Sequence, residues 1–371
     1  MKLNKAYLYK VHLPLVSPFR TSYGILHQKS FYLIGLEDEL GNIGYGELEA
    51  FPLPDYTEET LEGAKQVVTD FLLEELSGKE IEQPEQVSQI FAWIRGNEMA
   101  KASVESACYD LFAKRQKTSL AHFIGAKKKE ISVGVSIGIQ KNKRSLVEKV
   151  RSYVSAGYGR VKVKIQPGAD FSYLKAVRDE FPELPLLADA NSAYKEEDLN
   201  DLLRLDQLNI TMIEQPFGVR DLWLHAELQK RLERMAVCLD ENIRSLEDVK
   251  QAFTFGSCRA INLKMARVGG LQEALQIAEF CKQRKIIVWC GGMLEAGVGR
   301  AYNVALAARN EFQFPGDISA TDRYFEQDII KQNFELINGK IHVPEGMGIG
   351  VEIDEQALSR FAESFETILL D

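Results

Sequence analysis

From Ile131 onward the chain repeats one pattern: a short aliphatic run, a turn, an amphipathic helical stretch, then another run. The eight runs are "ISVGVSIGI", "RVKVKI", "LPLLADAN", "NITMIEQP", "AVCLDEN", "RAINLKMA", "KIIVWCGGM" and "FQFPGDIS". Strands apolar on both faces and separated by helices are parallel strands covered on each side, so the pattern predicts a sheet closed into an α/β barrel. An open doubly wound sheet would carry G-x-G-x-x-G after its first strand, and none is present there.

The two ends of the chain follow another rule. "KAYLYKVHLPL" and "SFYLIGLEDELGNIGYGELEAF" read as strands, with a Gly-Asn turn between the last two. "DYTEETLEGAKQVVTDFLLEEL" predicts a helix with Thr57 as its N-cap, and "NEMAKASVESACYDLFAKRQ" a second one. Strands first and helices after is α+β grammar. A length of 371 residues suits about two domains. Residues 1–128 are therefore expected to form an α+β capping domain and residues 129–324 the barrel. The tail, 325–371, reads as hairpin-like strands around Asn338-Gly339 and a final helix, expected to pack back on the N-terminal domain.

A net charge of -9 and a pI near 5.4 argue against nucleic acid as a partner, because phosphate binding needs a basic surface. No run of about 18 apolar residues offers a membrane span, and the N-terminus lacks a signal peptide's apolar segment and cleavage site. The expectation is a soluble, cytoplasmic protein with no membrane partner. Five scattered cysteines without C-x-x-C, and isolated histidines without H-E-x-x-H, predict neither disulfides nor a zinc site.

Each barrel run from the second to the sixth carries one conspicuous polar residue near its C-terminal end: Lys164, Asp189, Glu214, Asp240 and Lys264. Their separations are 25, 25, 26 and 24 residues, one β/α unit per step. That cadence brings all five to the same level at the barrel mouth, where active sites of this architecture form. A structural barrel would place Val, Ile or Leu at inward positions, since stranding unpaired charges there is costly. Oxygen-only ligands select a hard cation, so Asp189, Glu214 and Asp240 predict one Mg²⁺ (or Mn²⁺) per site, with coordination positions left for a substrate carboxylate.

In "RVKVKIQPG", Lys162 and Lys164 share one face and Val161, Val163 and Ile165 the other. A lone K-x-K is ordinarily a wet strand face, but in a barrel strand the aliphatics meet the helices and the lysines point inward. A lysine beside a dication and a second ammonium is under pressure to lose its proton, which suits Lys164 to general-base work with Lys162 as the neighbour. Lys264 flanks the carboxylates on the other side. The reaction class implied is removal of a proton α to the carboxylate of a small-molecule substrate.

The set "KVK", "DAN", "EQP", "LDE" and "NLK" at this spacing resembles the enolase superfamily, within it the muconate-lactonising-enzyme-like subgroup. Sites of that superfamily use a lysine or histidine base with magnesium. The resemblance implies a modified (β/α)7β TIM-type barrel with an α+β capping domain, Lys164 and Lys264 as catalytic residues, and Asp189, Glu214 and Asp240 as metal ligands. "KMARVGGLQEA", "CGGMLEAGVGRAYNVALA" and "FPGDISATDRYF" are similar to the o-succinylbenzoate synthase and N-acylamino acid racemase group. "SPFRTSYG" and "GELEAFPLPDYTEET" are similar to that group's two capping loops.

The resemblance implies syn dehydration to 2-succinylbenzoate, with two-base racemisation as the alternative. Arg267, three residues beyond Lys264, tunes that lysine, contacts substrate or is a surface-paired loop arginine. Dipeptide epimerases are the weaker comparison, because Met293-Leu294-Glu295 follows the seventh run where that family's Asp-x-Asp region is sought. A non-catalytic metal-binding barrel would have no need of two inward lysines. Ser136, Gly291, Gly292 and Met293 lie on the same rim, contacting substrate or only turning the chain. Asn191 and Lys162 touch substrate or orient ligands. Phe19, Phe51 and Leu294 wall the pocket or are simple core. Glu241 alternates to the other face and is left out of the metal set. A closed homo-oligomer is the default assembly.

Overall fold

Period-two alternation of large apolar residues builds the first three strands, β1 (Leu3–Arg20), β2 (Ile25–Asp38) and β3 (Ile43–Leu48), in the computed structural model, which describes residues 1–20 and 24–370. β1 pairs antiparallel with β2, and β2 with β3. Thr21, Ser22 and Tyr23, the centre of the "SPFRTSYG" loop, lie outside the described residues.

The first helix starts later than the sequence predicts. Thr60, not Thr57, is its N-cap, accepting the Gly63 N–H at 3.3 Å. A bridge between Phe51 and Thr60 holds the intervening residues as a loop, in which the Thr57 hydroxyl donates to the Glu59 carbonyl at 3.4 Å. That loop carries Tyr56 over the barrel mouth. The second helix runs Glu98–Arg115 as expected and is buried along nearly its whole length.

The expected run at 131–139 divides into β4 (Glu130–Ser132) and β5 (Val135–Ile137). Six more strands follow: β6 (Val161–Lys164), β7 (Leu186–Asp189), β8 (Met212–Glu214), β9 (Ala236–Leu239), β10 (Ala260–Leu263) and β11 (Ile287–Cys290). β5 to β11 form one parallel sheet in sequence order. Its inward positions are filled by Leu187, Met212, Ala236, Cys238, Ala260 and Trp289, which plug the barrel below the polar ring. The outward aliphatics, Val161, Val163 and Ile165 among them, join the core under the helices.

The eighth run is not a regular strand. The Gly134 N–H donates to Gly316 O at 2.8 Å and the Asp317 N–H to Cys290 O at 2.9 Å, so the segment joins β5 to β11 by single hydrogen bonds. Pro315 removes a backbone donor, and a Cβ on Gly316 would stand 2.4 Å from Cys290 O. Only a glycine permits that closure. The result is a modified TIM-type barrel with a separate antiparallel capping sheet.

The tail also differs from its expected hairpin and helix. β12 (Lys340–His342) pairs with β4, the last helix is short (Glu355–Phe361), and the chain then extends as β13 (Ala362–Leu369) along β1. The open edge of β1 supplies backbone partners that a longer helix could not use. Phe365 packs on Tyr9 at 4.6 Å between ring centroids. Among the described residues no helix is long and apolar enough to cross a membrane, and all five cysteines are buried and free.

Two glutamates of the first 128 residues cap barrel helices. Glu47 on β3 accepts the N–H groups of Ala296 and Gly299 at 2.7 and 2.8 Å, at the start of the helix Gly297–Ala307. Glu105 accepts the Gln272 N–H at 3.4 Å, at the start of the helix Leu271–Arg284. Helix N-termini favour carboxylates, but burial pushes Glu105 up to about 8. A carboxyl raised in the folded state binds its proton more tightly there than in the unfolded chain. Its contribution is therefore complete below the ordinary carboxyl range and is lost as pH rises through about 8. Glu105→Gln should flatten this part of the profile, changing the stability difference between pH 5 and pH 9 by on the order of 3 kcal/mol. Thermal melts across that range check it; parallel wild-type and variant curves would contradict it.

Candidate active site

Strand register brings the charged residues together. Lys164 on β6 sits opposite Asp189 on β7, and Asp189 opposite Glu214 on β8. Asp240 and Lys264 follow β9 and β10 directly. Lys162 Nζ, almost wholly buried, reaches Asp189 at 2.9 Å, Glu214 at 2.7 Å and Asp317 at 2.7 Å, and stands 5.1 Å from the centre of the Trp289 ring. Lys164 Nζ is 2.7 Å from Asp189 Oδ2 and donates to Asn191 Oδ1. On the other flank, Lys264 Nζ donates to Asp240 Oδ2 at 2.9 Å and to the Tyr56 hydroxyl at 2.6 Å.

These groups form the floor of a cavity of about 290 Å³. Lys162, Lys164, Asp189, Asn191, Asp240 and Lys264 all line it. Phe19, Phe51, Met293 and Leu294 form apolar walls, and Ser136 and Gly292 also reach it. Three of the expected site residues do not. Glu214 is held beneath by Lys162 and by Asn262 Nδ2, 2.7 Å from its Oε1. Gly291 packs against the Asn262 and Lys264 side chains. Arg267 is a buried strut, not a surface arginine: it donates to Asp240 Oδ1 at 2.6 Å, to Tyr56 at 2.7 Å and to the carbonyls of Ile243 and Asn262 at 3.0 and 3.2 Å.

Glu241 corrects the sequence reading. It is buried and accepts from Asn191 Nδ2 at 2.9 Å, so it belongs to the charged network and does not turn toward the helix layer. Strict alternation fails there because the chain leaves the strand at Leu239. Departures from extended backbone recur at these strand ends: Asn191 has φ 41° and Gln215 φ 39°. Such strain persists where surroundings fix it; Gln215 Oε1 accepts the Asp240 N–H at 3.1 Å and Asn191 bridges Lys164 to Glu241.

The electrostatics follow from the packing. Burial pushes Glu214 up to about 8, and the Asp189 carboxylate adds to the effect. Burial works the same way on Asp189, but the Lys162 and Lys164 ammonium groups hold it below the usual carboxylate range. Asp240 is likewise opposed by burial and held well below that range by Arg267 and Lys264. Burial alone would lower Lys264, yet Asp240, then Tyr56, carry it above the ordinary lysine range. The expected pressure toward a neutral lysine rested on a dication; the carboxylates acting on Lys264 do the reverse.

Among the described residues no three Asp, Glu, His or Cys side chains stand in a ready-made ligand cluster. Asp189, Glu214 and Asp240 are drawn instead onto the lysine and arginine groups around them. The donor chemistry nevertheless fits a hard divalent cation: three buried carboxylates on neighbouring strands, oxygen only, with like-charge repulsion already evident at Glu214.

Residues 4–125 match the mandelate racemase / muconate lactonizing enzyme N-terminal domain, and residues 145–357 match the enolase C-terminal domain-like family. The chain belongs to the enolase superfamily. It is 57% identical over 371 residues to the o-succinylbenzoate synthase of Listeria innocua, covering 100% of this chain and 99% of that one. It is 42% identical to the N-succinylamino acid racemase of Thermus thermophilus, covering 95% of each. A solved enolase-superfamily structure from Listeria innocua superposes with a TM-score of 0.98 at 57% identity, over 100% of both chains. The chain is thus an enzyme of this superfamily, which generally uses a divalent metal.

Sequence reasoning missed Tyr56, Asn262 and Asp317. Asn262 was accessible to it, lying two residues before Lys264 and so on the same strand face. Asp317 continues the cadence, 26 residues after Gly291, but sits in a run without strand geometry. Tyr56 lies on a loop, where no periodicity marks it.

Proposed function

We propose that the chain is an o-succinylbenzoate synthase, dehydrating 2-succinyl-6-hydroxy-2,4-cyclohexadiene-1-carboxylate to 2-succinylbenzoate by syn elimination, a step of menaquinone biosynthesis. The observation that carries this reading is the 57% identity to an o-succinylbenzoate synthase along the whole chain. The two lysines flanking three buried carboxylates are consistent with it. A cytoplasmic location, a small carboxylate substrate and a closed homo-oligomer belong to the same reading.

Asp189, Glu214 and Asp240 would hold Mg²⁺ (or Mn²⁺). When bound, that ion supplies positive charge against the substrate carboxylate as the α-carbon is deprotonated. Lys164 removes the α-proton and, now protonated, delivers it to the hydroxide leaving from the same face. Lys264, held by Asp240 and Tyr56, presents a cation to the developing enediolate from the other flank. Asn191 and Glu241 orient Lys164, while Lys162, Asn262 and Asp317 fix the carboxylates from below. The apolar walls exclude water from the reacting centre.

A second reading is N-acylamino acid racemase activity, with Lys164 and Lys264 each taking or returning a proton on its own face. It is favoured by the 42% identity to an N-succinylamino acid racemase. Purified protein assayed with Mg²⁺ against both substrate classes should show dehydration at the higher kcat/KM. Chelation should abolish turnover, and Mg²⁺ or Mn²⁺ should restore it. Turnover of neither substrate, or full activity after verified metal depletion, would contradict the proposal.

A further inference from the structure

Lys29 is 1% exposed, lies on β2 and belongs to neither the carboxylate ring nor the cavity lining. A lysine so deeply buried requires partners that satisfy its charge and its hydrogen-bond donors. Its Nζ donates to Glu49 Oε2 at 2.8 Å and to the Met293 carbonyl at 3.0 Å, and stands 5.0 Å from the centre of the Phe51 ring. Glu49 and Phe51 lie on the segment leaving β3, and Met293 on the segment leaving β11. One ammonium therefore ties a capping-domain wall of the cavity to a barrel wall.

The barrel wall needs such a tie. Leu294 has φ 63°, a left-handed conformation that a branched side chain keeps only when neighbours fix it. The adjoining Met293 is held at both ends of its peptide unit: its carbonyl by Lys29, and its N–H by Glu295 Oε1 at 2.7 Å. Glu295 is anchored in turn by Asn303 Nδ2 at 2.8 Å.

We propose that Lys29 is a specificity-determining positioning residue, fixing the Phe51 wall against the Met293–Leu294 wall and so setting the width of the apolar end of the pocket. This rests on the α-proton chemistry of the proposed function: with the reacting carbon at the lysines, the remainder of the substrate lies against these walls. A ring that becomes aromatic on dehydration tolerates a loosened pocket. An N-succinyl amino acid must be held with its α-carbon aligned to two bases, and is penalised when the walls part.

Replacing Lys29 alone would strand Glu49 in the core, so the test uses the apolar pair Lys29→Met/Glu49→Leu. Phe51→Leu, which loosens the same wall and keeps the ion pair, is the second variant. In each, kcat/KM for N-succinyl amino acid racemisation should fall about 30-fold, chiefly through KM, while dehydration stays within about threefold. An unchanged ratio of the two activities, in variants with native circular dichroism, overturns the role of Lys29. If the pair variant does not fold, the Phe51→Leu ratio decides. Wild-type protein turning over neither substrate overturns the functional reading, and the inference with it.

Discussion

Lys164→Ala is expected to lower kcat about a thousandfold for dehydration and for racemisation alike, with Mg²⁺ binding retained. Its ammonium reaches the cavity, anchored by Asp189 and Asn191. Lys162 cannot take over, because its Nζ is held among Asp189, Glu214 and Asp317. Steady-state kinetics with a calorimetric Mg²⁺ titration separates the lost base from a damaged metal site. A variant within tenfold of wild type on both substrates would remove Lys164 from the chemistry.

Lys264→Arg is expected to divide the two reactions. Dehydration asks Lys264 only to remain cationic, and a guanidinium does so at every working pH. Racemisation asks it to give up and regain a proton, which arginine does not do. Racemisation should therefore fall about a thousandfold, and dehydration by about tenfold as the bulkier fork disturbs the contacts with Asp240 and Tyr56. The ratio of the two kcat values checks this, and equal losses would mean that Lys264 does one and the same job in both reactions.

The site was legible in the sequence wherever regular geometry carries information. Lys164, Asp189, Glu214, Asp240 and Lys264 recur at one per β/α unit because parallel strands in sequence order must present their C-terminal ends together. The inward direction of Lys162 and Lys164 followed from alternation once their aliphatic neighbours had helices to meet. Reading failed where the backbone leaves a repeat. Glu241 lies beyond the end of β9, so alternation no longer sets its direction. Pro315 and Gly316 close the barrel by single hydrogen bonds, which no strand pattern announces. β13 forms because β1 offers an open edge some 350 residues away in sequence, a partner that local propensity does not see. Tyr56 reaches Lys264 and Arg267 from a loop of the capping domain, so its role is set by docking of one domain on the other.

Solvent-deuterium exchange at the α-carbon of each enantiomer of an N-succinyl amino acid, followed by proton NMR with Mg²⁺ present, tests the two-lysine site most directly. Wild-type protein should exchange both enantiomers. Lys164→Ala should retain exchange of one enantiomer only, and Lys264→Arg of the other only. Exchange of both enantiomers at wild-type rate by either variant would contradict the assignment of one proton-transfer lysine to each face of the substrate.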